Sequence, residues 1–208
     1  MSPSKFRVRG LFRGAVNRVA APLQKRNVKP DAITYTSLLF AFLAFLSIVL
    51  FQSQPVFGVL VFITGFLDGV DGAIARNAEL SSKAGALTDS VIDKVAEVFL
   101  LGGIAVAFPD DTVLYLSVPL WVLLCIVGWL LTSYTRSRAE SLGVTDLDVG
   151  LGARSERLLI LVVFSLVSLL FLGLVVVTIV GLLTAAYRFH HYKGELIVQR
   201  LSQSNHHT

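Results

Sequence analysis

A single cysteine, Cys125, lies inside an apolar run, so no intrachain disulfide can form and the redox compartment stays open. Charge is scarce: Asp, Glu, Lys and Arg make up 15% of the 208 residues, against 54% hydrophobic, and mean hydropathy is +0.73. That balance excludes an ordinary soluble domain and points to an integral membrane protein. No long repeat and no low-complexity linker divides the chain. No groove-reading motif accompanies the net charge of +4, so nucleic acid is not expected as a partner. The first thirty residues lack the uninterrupted apolar core of a secretory signal, and no cleaved leader is expected.

What is present is a set of apolar stretches of roughly the length needed to cross a bilayer, about 20 residues each. They predict six transmembrane helices over 32–52, 55–76, 84–108, 112–135, 155–172 and 174–190, an all-α architecture. The last two share one long apolar segment. Arg154 and Arg157 precede it and Arg188 and Lys193 follow it, so the positive-inside rule places both ends in the cytoplasm and demands a turn, for which Gly173 is the candidate. The loops FQSQPVF and FPDDTVLY then face outward with no Lys or Arg, and all 18 basic residues fall on or near the cytoplasmic side. This predicts a multi-pass protein of the cell membrane with both termini in the cytoplasm.

Before the first span, Phe6, Phe12, Val16, Val19 and Leu23 recur at roughly helical spacing among Lys5, Arg7, Arg9, Arg13, Arg18, Lys25, Arg26 and Lys29. An amphipathic juxtamembrane helix lying on anionic headgroups is expected there. The chain divides into a juxtamembrane segment, 1–30, a six-helix domain, 31–193, and a polar tail, 194–208. His190, His191, His206 and His207 read as solvated residues near that tail, and Trp121 and Trp129 as packing or interfacial anchors.

Four aspartates interrupt the apolar pattern. Asp68 and Asp71 are three apart and Asp89 and Asp93 four apart, so on helices each pair shares a face. The polar NAELSSKAG between them reads as a cytoplasmic turn that lets the four carboxylates converge. Such a cluster needs cations. Lys94 and Arg76 are near in sequence, but an all-oxygen site without His or Cys suits Mg²⁺, with Mn²⁺ as the alternative, and two ions on four aspartates would clamp a pyrophosphate. Gly69, Gly72, Ala73 and Ala75 leave room for a phosphate against the helix backbone, and Asp31 is placed to cap the first span. The alternative of another class is a cation transporter whose carboxylates line the pathway.

Asp68, Asp71, Gly72, Ala75, Arg76, Gly85, Asp89 and Asp93 fill every fixed position of D-x2-D-G-x2-A-R-x8-G-x3-D-x3-D, and the chain thereby resembles the CDP-alcohol phosphatidyltransferases. The resemblance implies a six-helix, dimeric membrane enzyme that passes a phosphatidyl-type group from a CDP-lipid to an alcohol and releases CMP. It implies that Asp68, Asp71, Asp89 and Asp93 bind metal and that Asp93 also takes the proton of the attacking hydroxyl. KPDAIT, at 29–34, is similar to the segment that precedes the first span in this family, so Asp31, Ala32, Ile33, Thr34, Gly72, Arg76 and Ser82 would line the CDP-lipid site. SYTRSRAE, ARSER and AYRFH resemble the branch that makes phosphatidylinositol phosphate or its archaeal counterpart, archaetidylinositol phosphate. There Arg136, Arg154 and Arg188 would grip the phosphate of inositol 1-phosphate. The lipid substrate would be CDP-diacylglycerol or CDP-archaeol. The nearest alternative acceptor is glycerol 3-phosphate, the substrate of a phosphatidylglycerophosphate synthase. The position of Arg136 is often lysine in the inositol branch, and the two side chains are not interchangeable.

Overall fold

A computed structural model describes residues 8–77, 82–147, 149–150 and 152–205. Among the described residues the regular structure is helical apart from one short hairpin. Its elements are α1 (Val8–Lys25), α2 (Pro30–Phe51), α3 (Gln54–Asn77), α4 (Lys83–Ala107), β1 (Thr112–Val113), β2 (Leu116–Ser117), α5 (Val118–Ser141), α6 (Arg154–Leu166) and α7 (Leu170–Asn205). Lys5, Phe6 and Arg7, the centre of the turn between the aspartate pairs, and His206 and His207 lie outside the described residues.

Local chemistry sets the boundaries. Pro30 opens α2, where its missing N–H costs nothing, and Asp31 sits inside the first turn rather than at the cap, so it favours the helix through the dipole. Gln52 ends α2 in the left-handed region (φ 49°) and its Nε2 donates to Ala107 O at 2.9 Å, which ties the ends of α2 and α4 together. Ser82 is the N-cap of α4, its hydroxyl accepting from the Gly85 N–H at 2.9 Å. At the end of α5, Gly143 (φ 88°) and the bonds Gly143 N to Glu140 O and Val144 N to Ala139 O make a glycine-terminated C-cap.

Three features differ from the sequence reading. FPDDTVLY carries β1 and the turn of a hairpin that β2 completes, with Thr112 opposite Ser117 and Leu114 and Tyr115 both at positive φ, so α5 begins at Val118 and not at 112. The turn between the last two helices is at Ser168 (φ 58°), where the Leu170 N–H donates to Gln54 Oε1, and not at Gly173. Gly173 lies within α7 because a methyl there would come 2.6 Å from Phe164 Cβ: it permits close packing rather than turning the chain. The third is the length of α7, which runs unbroken past residue 194 to Asn205. Tyr192 Oη donates to Leu147 O at 3.0 Å, and Tyr192 packs with Ala139, Val144 and Val149, which fastens this extension to the α5–α6 link.

α2 packs on α3 and α4, α5 on α7, and α3 on α6, around one core that includes Ile48, Phe57, Leu101, Trp129, Leu161 and Leu174. α1 lies against α3, with Ala20 buried beside Val70, Ala73 and Ile74, while Val19 is exposed. Among the described residues four helices, α2, α3, α5 and α7, are long and apolar enough to cross a membrane. α4 is long but carries Lys83, Asp89, Asp93, Lys94 and Glu97, and the 13 residues of α6 rise only about 20 Å.

Two glycines give a matched test of this packing. Gly173→Ala is expected to lower stability by about 1–3 kcal/mol through overpacking against Phe164. Gly102→Ala on α4, where nothing lies within 4 Å of the added methyl, is expected to be neutral or to gain up to about 1 kcal/mol of helix propensity. Thermal unfolding of both variants in one detergent measures the difference.

Candidate active site

α3 and α4 bring Asp68, Asp89 and Asp93 together, with one carboxylate oxygen from each lying within 4.8 Å of the other two. The spacing works as the sequence requires: Asp89 and Asp93 are one helical turn apart on α4, and α3 presents Asp68 across from them. Asp71, one turn further along α3, is 4% exposed and accepts a hydrogen bond from Thr34 Oγ1 at 2.8 Å. That bond joins the start of α2 to the aspartate helix, and Thr34 Oγ1 also lies 3.3 Å from Pro30 O.

The cation that meets these carboxylates is Arg154, at the start of α6. Its Nη1 contacts Asp68 Oδ1 and lies 2.8 Å from Asp93 Oδ1, and its Nε is 3.4 Å from Glu97 Oε1. Lys94 reaches a different carboxylate. It pairs with Glu97 at 2.6 Å. Arg76 is exposed and its guanidinium crosses Gly72, where a methyl would come 3.1 Å from Nη1. Sequence reasoning missed Glu97 and Arg157. Glu97 is 4% exposed, four residues past Asp93 on the same face of α4, and that continued spacing within an apolar stretch was the available signal. Arg157 is 1% exposed, with Nη2 3.9 Å from Glu97 and its guanidinium 4.5 Å from the centroid of the Trp129 ring.

The residues expected to hold a CDP-lipid fall around the joined ends of α2, α3 and α4. Asp31 and Ala32 are exposed, Ile33 and Thr34 buried. A methyl on Gly85 would lie 3.1 Å from Ser82 Oγ and 3.6 Å from Asp31 Oδ1, so this glycine lets the starts of α2 and α4 meet. The three arginines expected at the acceptor are placed differently from one another. Arg154 stands on the aspartates. Arg188 is buried and donates through Nε to Val149 O (3.0 Å) and through Nη1 to Thr132 O (2.8 Å), while Arg136 is exposed, one turn beyond Thr132 on α5. His191, read as solvated, is half-buried, with Nε2 3.1 Å from Glu195 Oε1 and Asp146 nearby.

From Asp68 a cavity of about 540 Å³ runs between α1, α3 and α6. Arg13, Asp68, Arg76 and Ser155 contribute its polar part, and Phe12, Val16, Phe62, Leu158 and Val162 its apolar walls. Phe12 and Phe62 meet edge to face at 5.8 Å, and a methyl on Gly69 would lie 3.2 Å from Val16 Cγ2, so α1 forms one wall.

A sequence model of the CDP-alcohol phosphatidyltransferases matches residues 27–189, from the α1–α2 link into α7. The chain belongs to this family. Archaetidylinositol phosphate synthase of Pyrococcus horikoshii is 29% identical over 192 residues, 91% of this chain and 97% of that one. Phosphatidylinositol phosphate synthase of Streptomyces avermitilis is 33% identical over 171 residues, 80% of this chain and 66% of the relative. Phosphatidylinositol phosphate synthase of Mycobacterium tuberculosis, solved in complex with manganese and citrate, has the same fold, with a TM-score of 0.72 at 22% identity over 85% of this chain and 88% of that one. The donor chemistry of the phosphatidyltransferase described here fits a hard divalent cation: three carboxylates converge, all donors are oxygen, and a positive group already spans Asp68 and Asp93.

Thr34→Val removes the hydroxyl that reaches the buried Asp71 carboxylate. It is expected to destabilise the protein by about 1–3 kcal/mol, and Thr34→Ser, which restores the donor, by much less. Thermal unfolding of the two variants side by side checks this.

Proposed function

We propose that this enzyme transfers a phosphatidyl-type group, diacylglycerol phosphate or archaeol phosphate, from a CDP-lipid to inositol 1-phosphate and releases CMP. The observation that carries the reading is the convergence of Asp68, Asp89 and Asp93, with Asp68 also lining a largely apolar cavity between α1, α3 and α6. The names of the Pyrococcus and Streptomyces relatives support the inositol phosphate acceptor. Membership of a transferase family replaces the transporter reading.

In this reading Asp68, Asp71, Asp89 and Asp93 hold two Mg²⁺ ions, with Mn²⁺ able to serve. When bound, the ions supply positive charge to the pyrophosphate oxygens and the CMP leaving group. The cytidine end of the substrate occupies the region where Asp31, Ala32, Ile33, Thr34, Gly72, Arg76 and Ser82 gather, and its chains follow the groove walled by α1, α3 and α6. Asp93 takes the proton from the acceptor hydroxyl as its oxygen forms a bond to the phosphorus attached to the lipid, and the bond from that phosphorus to the CMP oxygen breaks. Arg154, beside Asp93, carries the charge that draws the acceptor phosphate in, with Arg136 and Arg188 on the adjoining α5 and α7.

The same reading places six helices across the membrane, α4 and α6 completing the set through their polar cytoplasmic ends, with α1 as an amphipathic helix at the surface. The basic residues then put the site and both termini in the cytoplasm at the cell membrane. The working unit is a homodimer, as the family resemblance implies.

The test is CMP release by the purified protein with defined CDP-lipids. Inositol 1-phosphate is expected to support turnover, and a preference for glycerol 3-phosphate or for unphosphorylated inositol would overturn the acceptor assignment. Asp93→Asn is expected to lower the rate by at least about 10²-fold, the scale of a lost general base.

A further inference from the structure

Behind the aspartates lies a buried anion that the transfer step does not use. Glu97 is 4% exposed, and three cations converge on it: Lys94 Nζ at 2.6 Å, Arg154 Nε at 3.4 Å and Arg157 Nη2 at 3.9 Å. Arg154 is the shared member of two ion clusters. One edge of its guanidinium, through Nη1, engages Asp68 and Asp93, and Nε engages Glu97. A divalent ion held by Asp68, Asp89 and Asp93 competes with Nη1 for these carboxylate oxygens, and its repulsion of the guanidinium weakens the contacts Nη1 now makes. The Arg154 side chain is only 15% exposed, so without another anion it would become a buried charge lacking a partner, a costly state.

We propose that Glu97 is a positioning residue for metal loading: it retains Arg154 through Nε while Asp68 and Asp93 exchange Nη1 for a divalent ion. Lys94 and Arg157 hold the Glu97 carboxylate in place, and stacking on Trp129 fixes Arg157 in turn. The guanidinium thus stays beside the site after the ion enters, ready to meet an acceptor anion. The inference rests on reading the aspartates as a metal centre.

The test is a mutant cycle on the full chain in detergent, read as Mn²⁺ affinity by electron paramagnetic resonance without lipid or acceptor. Glu97→Gln is expected to weaken Mn²⁺ binding on the order of 10-fold, the scale seen when a partner behind a metal ligand is removed. In an Arg154→Met background, where no guanidinium competes for the aspartates, the same change is expected to shift affinity less than about twofold. Equal weakening with and without Arg154, or no weakening in either, overturns the proposal. If Glu97→Gln does not fold, Glu97→Asp, which keeps the charge but draws it back from Nε, takes its place in the cycle under the same criteria. Absence of Mn²⁺ binding to the unsubstituted protein, or binding indifferent to Asp89→Asn, sinks the metal centre itself and the proposal with it.

Discussion

Carboxylates facing one another inside an apolar helical bundle are tolerable only when positive charge is placed among them. Three aspartates and a glutamate gather where α3 and α4 meet, with Asp71 one turn further along α3, and one guanidinium, Arg154, spans the two sides. The rest of the architecture follows from holding that balance. α6 must begin beside α3 and α4 to deliver Arg154, so the long α5–α6 link is pinned in place. Arg188 reaches from α7 to the carbonyls of Val149 in the link and Thr132 on α5, and Tyr192 secures Leu147.

Close helix approach does the same work deeper in the bundle. Thr132 Oγ1 donates to Gly181 O across the α5–α7 contact at 3.1 Å, and a methyl on Gly181 would lie 2.9 Å from Trp129 Cδ1. Small residues bring backbones near enough for dispersion and hydroxyl bonding to replace the hydrophobic drive that lipid removes. Trp129, seated by that contact, is also the ring under Arg157, so packing between two scaffold helices reaches the charge layer behind the aspartates.

The aspartate cluster was legible in the sequence because its spacing is local: three and four residues within helices, in a chain otherwise poor in charge. Helix existence was legible for the same reason, from apolar runs bounded by basic residues. Gly173 misled because glycine signals a turn in water-soluble chains and close packing in helices among lipid, and only the position of Phe164 separates the two uses. The hairpin 112–117 depends on non-glycine residues at positive φ, which no local rule favours at Leu114 and Tyr115. The extension of α7 beyond residue 194 rests on Tyr192 and Leu196 meeting the α5–α6 link, a contact between distant segments. Glu97 and Arg157 were overlooked singly because their roles exist only as a pair set in place by folding.

Of the three described helices that fall short of a membrane span by length or hydropathy, α1, α4 and α6, two share the charged cluster with Asp68 of α3. α2, α3, α5 and α7 have the apolar length of a scaffold. α4 gives up hydropathy to hold Asp89, Asp93, Lys94 and Glu97, and α6 is short and opens with Arg154 and Arg157. Each would be costly facing hydrocarbon alone, since a charged side chain at the middle of a lipid-facing helix costs about 2.5–3.5 kcal/mol on insertion scales. Together they offset part of one another's charge: Arg154 links the start of α6 to Asp93 and Glu97 of α4, while α6 takes its packing from α3 and α7. The charged cluster therefore sits where packing of α6 on α3 and α7 delivers Arg154 to the aspartates, and its Asp68 also lines the cavity between α1, α3 and α6.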